Sequence, residues 1–137
     1  MSFRVPFGTI TITDTAKRLI AESLETKRIS SGKFVRQFED RFAEIVGVRE
    51  AVAVSSGTDA DILALAVLHD FGAKRGDEVI APALSFVSTG GAIIHAGFTP
   101  VFIDVDRETL NIDPEKIEKA ITSKTRAIMP VHLMGKP

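Results

Sequence analysis

The chain has 137 residues, enough for one domain with a real core, and 45% of them are hydrophobic, which argues against disorder. With 17 basic and 18 acidic residues the net charge is -1, so nothing electrostatic points to nucleic acid or an anionic membrane as a partner. There is no Cys, which excludes disulfides and thiolate metal sites, and His69, His95 and His132 are too scattered in sequence for a zinc motif.

The N-terminal stretch "MSFRVPFGTITIT" lacks the apolar core of a signal peptide, and no apolar run approaches the ~20 residues of a membrane span. A soluble, cytoplasmic protein is expected. Residues 13–30, "TDTAKRLIAESLETKRIS", fit an amphipathic helix, and 33–47, "KFVRQFEDRFAEIVG", fit another. In the second, Phe34, Phe38, Phe42 and Ile45 recur at spacings of three and four and so share a face, read as helix core. The run "RQFEDR" reads as its solvated side.

After residue 50 strands and helices alternate. "AVAVSS" (51–56) reads as a short buried strand, and "TDADILALAVLHDFG" (58–72) as a helix closed by Gly72. "DEVIAPA" (77–83) is a second strand, and "SFVSTGGAIIHAG" (85–97) a helix weakened by Gly90 and Gly91. "TPVFIDVD" (99–106) is a third strand. "DPEKIEKAIT" (113–122) is a helix with Asp113 as N-cap and Pro114 at its first position, and "TRAIMPVHL" (125–133) is a fourth strand. This alternation means βαβ crossovers and a largely parallel sheet, covered on both faces where the strands are uniformly apolar. The sequence stops on a strand that would form a sheet edge, so the chain reads as the front part of a larger protein; a small complete domain pairing through that edge is the alternative.

The junction "SSGTD" (55–59) lies where a strand meets a helix. First-turn N–H groups lack intrahelical partners and the helix dipole adds positive charge, so Gly57 with Ser55, Ser56 and Thr58 could seat an anion. It is not a P-loop, because no Lys follows Gly57, and not a dinucleotide fingerprint, because it has a single Gly. Taken alone, the three residues Ser-Gly-Thr favour a plain helix cap, and the charge of Asp59 counts against an anion unless it points away.

The wider order changes this reading. "FVRQFEDRFAEIVGVREAVAVSSGTDADILAL", "GDEVIAPALSFVSTGGAIIHAGFTPVFIDVDRETLNIDPEKIEKAIT" and "KTRAIMPVHLMGKP" follow one another in the order found in the DegT/DnrJ/EryC1/StrS sugar aminotransferases, which this chain closely resembles over about residues 30–137. The resemblance implies a pyridoxal-phosphate (PLP) enzyme of fold type I, the aspartate-aminotransferase fold. The chain would supply part of its large domain, in α/β/α layers around a mostly parallel sheet. Residues 1–50 would form an N-terminal helical segment and 51–137 the first part of the PLP-binding domain.

It also implies roles. Ser56, Gly57 and Thr58 would hold the cofactor phosphate, chiefly through the Gly57 and Thr58 N–H groups and the Thr58 hydroxyl. Phe86 would stack on the pyridine ring, although by itself it reads as an ordinary core Phe. Ser88 and Thr89 would lie on the cofactor side, and His132 would end a strand at the catalytic edge, where a structural His fits equally well. "ISSGKF" (29–34) would lie near substrate or the subunit interface. Asp104 and Asp106, which taken alone suggest a metal site, would by this resemblance be part of a strand-end turn.

The implied reaction transfers an amino group from an amino acid such as glutamate to a nucleotide-linked keto sugar, in a homodimer. It needs a Schiff-base Lys and an acid on the pyridine nitrogen. In the family both come later in the chain. None of Lys17, Lys27, Lys33, Lys74, Lys116, Lys119, Lys124 and Lys136 matches the family's lysine motif, Lys136 being nearest the active-site edge. The chain alone is therefore expected to be inactive. The alternatives are a PLP-dependent sugar dehydratase, with His for the Lys, and a non-catalytic truncated module that pairs with or regulates a complete relative.

Overall fold

A computed structural model describes residues 8, 10–135 and 137, so most of the N-terminal stretch read for targeting lies outside the described residues. The chain divides into two compact units, Met1–Ala53 and Val54–Pro137. No helix among the described residues is long and apolar enough to cross a membrane.

The first unit holds α1 (Asp14–Glu25) and α2 (Lys33–Val46). Thr13 caps α1, its hydroxyl oxygen accepting the Ala16 N–H at 3.1 Å. The helix closes earlier than its periodicity suggests. Lys27 takes a left-handed φ of 54°, and the Arg28 N–H donates back to Ser23 O. Gly47, with φ 76°, closes α2 in the same way. The α2 stripe exists, with the Phe38 and Phe42 rings 5.9 Å apart, but it is not core: Phe38 is 58% exposed and Ile45 70%. Ala43 is the residue that α2 buries. Two short helices have too little surface between them to enclose a stripe of phenylalanines.

The strand expected at 51–56 is not formed. The segment is extended, yet Val52 is 71% exposed and residues 51–54 pair with no strand among the described residues. Its fixed point is the Ala53 N–H, which donates to the Glu39 carboxylate at 2.8 Å. A strand exists only beside a neighbour, and periodicity does not supply one.

The second unit begins with α3 (Gly57–Ala66), prolonged by a 3-10 turn (Val67–Phe71) that Gly72 closes at φ 93°. Then come β1 (Glu78–Pro82), α4 (Val87–His95), β2 (Thr99–Ile103), α5 (Pro114–Ala120) and β3 (Thr125–Ile128). The strands are parallel in the order β2-β1-β3. The path steps from β1 to one side and then back across it, so right-handed crossovers put α4 and α5 on opposite faces. Strand β1 shows the result: Val79 and Ala81 point one way and Ile80 the other, and all three are fully buried. Leu65 of α3 and Ala92 and Ile93 of α4 pack on the Val79–Ala81 face, joined by Phe98. The β3 ladder stops short of the expected 133. Met129 still donates to Ile80 O at 2.8 Å, but Pro130 has no N–H to give.

Gly90 in α4 has a packing reason. A Cβ there would lie 2.8 Å from Cζ of Phe102 on β2, whereas a Cβ on Gly91 would meet nothing within 4 Å.

Candidate functional site

The first turn of α3 is built by its serines. Ser56 is the N-cap, in extended conformation, and its hydroxyl oxygen accepts the Asp59 N–H at 3.1 Å. The same hydroxyl donates to the Asp59 carboxylate at 2.9 Å, and the Ser55 hydroxyl donates to that carboxylate oxygen too. Hydrogen bonds from Ser55 and then Ser56, outweighing the opposing effect of burial, hold the Asp59 carboxyl below the usual carboxylate range. The charge that counted against an anion is thus folded back onto the cap. The hydroxyl protons of both serines are committed to it. What stays open is backbone. The N–H groups of Gly57 and Thr58 have no intrahelical acceptor and no other acceptor among the described residues. A Cβ on Gly57 would meet nothing within 4 Å, so this glycine faces open space.

Phe86 follows β1 and is the N-terminal flanking residue of α4, its carbonyl accepting the Thr89 N–H at 3.0 Å. Its ring is 73% exposed, so the ordinary-core reading fails. With Pro82, Ser85, Gly90, Ile94 and Phe102 it lines a cavity of about 360 Å³. Ser88 is half-buried on the first turn of α4, and Thr89 is buried. His132 is exposed in the turn after β3, where its carbonyl accepts the Gly135 N–H at 2.9 Å.

Topology brings these groups to one edge. Phe86 and His132 each follow the C-terminal end of a strand, and β1 and β3 are parallel neighbours. Helix α3 packs along α4, and the His69 ring just past the end of α3 meets Ala96 O at the end of α4. The two helices therefore run the same way, with Gly57–Thr58 and Phe86–Ser88 at the same end. In open parallel sheets this carboxyl edge is where ligands bind. Among the described residues no hydrogen bond or ring contact links the Ser56–Thr58 turn, the Phe86–Ser88 turn and His132 to one another.

Three lysines of the second unit are placed away from this edge or tied down. Lys74 and Lys124 precede β1 and β3, at the opposite edge. Lys116 reaches toward the end of β2, but it pairs with Asp113 at 3.2 Å and Asp104 at 3.4 Å. The Asp113 bond first, then Asp104, raise its pKa, opposite to what a nucleophilic amine needs. Lys136 lies outside the described residues. Asp106 serves as a turn cap, accepting the Thr109 N–H at 2.8 Å and its hydroxyl at 2.9 Å. Asp104 accepts the Val105 N–H at 2.9 Å.

The sequence profile of the DegT/DnrJ/EryC1/StrS aminotransferase family matches residues 11–137. The chain belongs to this family. It is 51% identical over 116 residues to the spore coat polysaccharide biosynthesis protein SpsC of Bacillus subtilis, a match covering 85% of the chain and 29% of SpsC. It is 42% identical over 134 residues to the GDP-perosamine synthase of Escherichia coli O157:H7, covering 97% and 36%. Among solved structures it superimposes with a TM-score of 0.86 and 38% identity on the E. coli GDP-4-keto-6-deoxy-D-mannose-3-dehydratase with bound hydrated PLP, covering 96% of this chain and 35% of that one. The α/β architecture with its parallel sheet is that of a fold type I PLP domain. The chain spans about a third of the length of these DegT-family relatives.

Proposed function

We propose that this chain forms the phosphate seat and ring face of a PLP site, in an enzyme that aminates a nucleotide-linked keto sugar with an amino acid donor such as glutamate. The observation that carries the proposal is the open first turn of α3. Two N–H groups without an acceptor among the described residues, and a glycine whose Cβ position is open, stand at the same sheet edge as an exposed phenyl ring. The residues fit the group. The Gly57 and Thr58 N–H groups and the Thr58 hydroxyl offer donors to phosphate oxygens, with the helix dipole behind them. The Ser56 hydroxyl already donates to Asp59, so its part is to fix the cap that aims those N–H groups. Phe86 offers an apolar face to a flat ring, and Ser88 and His132 offer polar contacts along the edge. Bound PLP supplies an electron sink for the carbon that loses its proton.

Within the second unit Lys74 and Lys124 precede their strands at the opposite edge and Lys116 is paired with Asp113 and Asp104, which supports the reading that the chain by itself binds the cofactor without catalysing. The proposed enzyme is a homodimer, in keeping with the exposed phenylalanine stripe of α2. Dehydration of the sugar is the second reading, favoured by the likeness to the E. coli dehydratase. Titrating the chain with PLP and reducing with borohydride tests the first part. Saturable binding without a stoichiometric adduct is expected. A one-to-one adduct on a single lysine would overturn the claim that the reactive amine lies outside these residues.

A further inference from the structure

His69 has no part in the proposed site, yet its surroundings are specific. Its ring stacks on Phe98, with centroids 4.6 Å apart and planes 10° from parallel. Nδ1 lies 2.9 Å from Ala73 O and Nε2 lies 2.9 Å from Ala96 O. Both partners are carbonyl oxygens, which only accept. A neutral imidazole has one N–H and would leave the other nitrogen's lone pair facing a carbonyl. Only the imidazolium satisfies both contacts. The Ala96 carbonyl also ends a helix, Ala96 being the C-cap of α4, whereas Ala73 lies one residue past Gly72, which closes the turn after α3. Carbonyls at helix C-termini carry partial negative charge and favour a cation.

We infer that His69 is a doubly protonated staple that fastens the C-terminal end of α3 to that of α4, so that the packing of these two helices loosens as pH rises. The carbonyl of Ala96 first and that of Ala73 second raise the His69 pKa above its ordinary 6.5, against partial burial. The charges that act on the ring are Arg75, which opposes protonation, and Asp70, which favours it; His95 of α4 is exposed and is not among them. The group is more basic folded than unfolded. Its stabilisation is therefore complete below about pH 6.5 and disappears as pH climbs through the raised value. The inference does not depend on what binds at the other end of the helices.

Two measurements test it. Long-range nitrogen–proton NMR of the wild-type chain at pH 6.5 should show both His69 ring nitrogens protonated. Urea midpoints of wild type and His69→Gln should differ most at pH 6 and converge toward pH 9. One unprotonated ring nitrogen at pH 6.5 would overturn the staple even if the variant does not fold. So would a midpoint difference that stays constant across that range.

Discussion

Replacing Gly57 by Asp separates folding from cofactor binding, because the same charge acts on them with opposite sign. A Cβ at this position meets nothing within 4 Å and the residue is exposed, so the new side chain has open space to enter. A carboxylate in the first turn of a helix is stabilising by about 0.3–1 kcal/mol. A phosphate seated on the same turn sees that carboxylate at close range. Two unit charges about 4 Å apart repel by about 1 kcal/mol at the dielectric of water, and a phosphate carries nearly two. Gly57 is exposed, so the water-like value applies. The expected loss is about 2 kcal/mol, or roughly 30-fold in PLP affinity. Gly57→Asn has the same shape without the charge and isolates the electrostatic part. Equilibrium dialysis of PLP against the three chains, with urea midpoints alongside, reads both quantities. Gly57→Asp should be no less stable than Gly57→Asn and bind PLP far more weakly. Equal PLP affinity of the two variants would refute the phosphate seat.

Two further outcomes follow from the packing and the charges. Gly91→Ala should stabilise α4 by about the 0.8–1 kcal/mol that separates Gly from Ala in a helix. Gly90→Ala must push the tip of the exposed Phe102 ring aside and should gain less than Gly91→Ala; the shortfall should vanish in a Phe102→Ala background, as read by urea denaturation. Asp77 is buried, accepts the Lys74 N–H at 2.9 Å and pairs with Arg126 at 2.8 Å. The Lys74 bond first, then Arg126, outweigh burial and lower its pKa below the ordinary 3.8. Its contribution is thus complete above that value and is lost as pH falls through the lowered one. The stability advantage of wild type over Asp77→Asn should hold at neutral pH and shrink below about pH 4.

The parts of the fold visible in the sequence are those with local signals. Asp113-Pro114 marks the start of α5, where the Asp113 carboxylate accepts the Glu115 N–H at 3.0 Å. Val79, Ile80 and Ala81 form an apolar run without alternation, and β1 is buried on both faces. The misreadings occur where a neighbour decides. Residues 51–54 have the composition of a strand but no ladder among the described residues, and the α2 stripe has the periodicity of a core face yet stays exposed. At the candidate site, Ser-Gly-Thr and Phe86 stand out in the sequence only through the order of several motifs. Asp59 was read by its charge alone. Its spacing of three and four from Ser56 and Ser55 is the signal that could have revealed the clamp. His69 offered no sequence signal, because both of its partners are backbone carbonyls, one of them 27 residues away.

The central claim is that this chain recognises the cofactor by its phosphate. Comparing PLP with pyridoxal, which has the same ring and no phosphate, isolates that contact. Competitive titration of the chain should show PLP binding much more tightly, with inorganic phosphate displacing it. Equal affinity for pyridoxal and PLP would contradict the account.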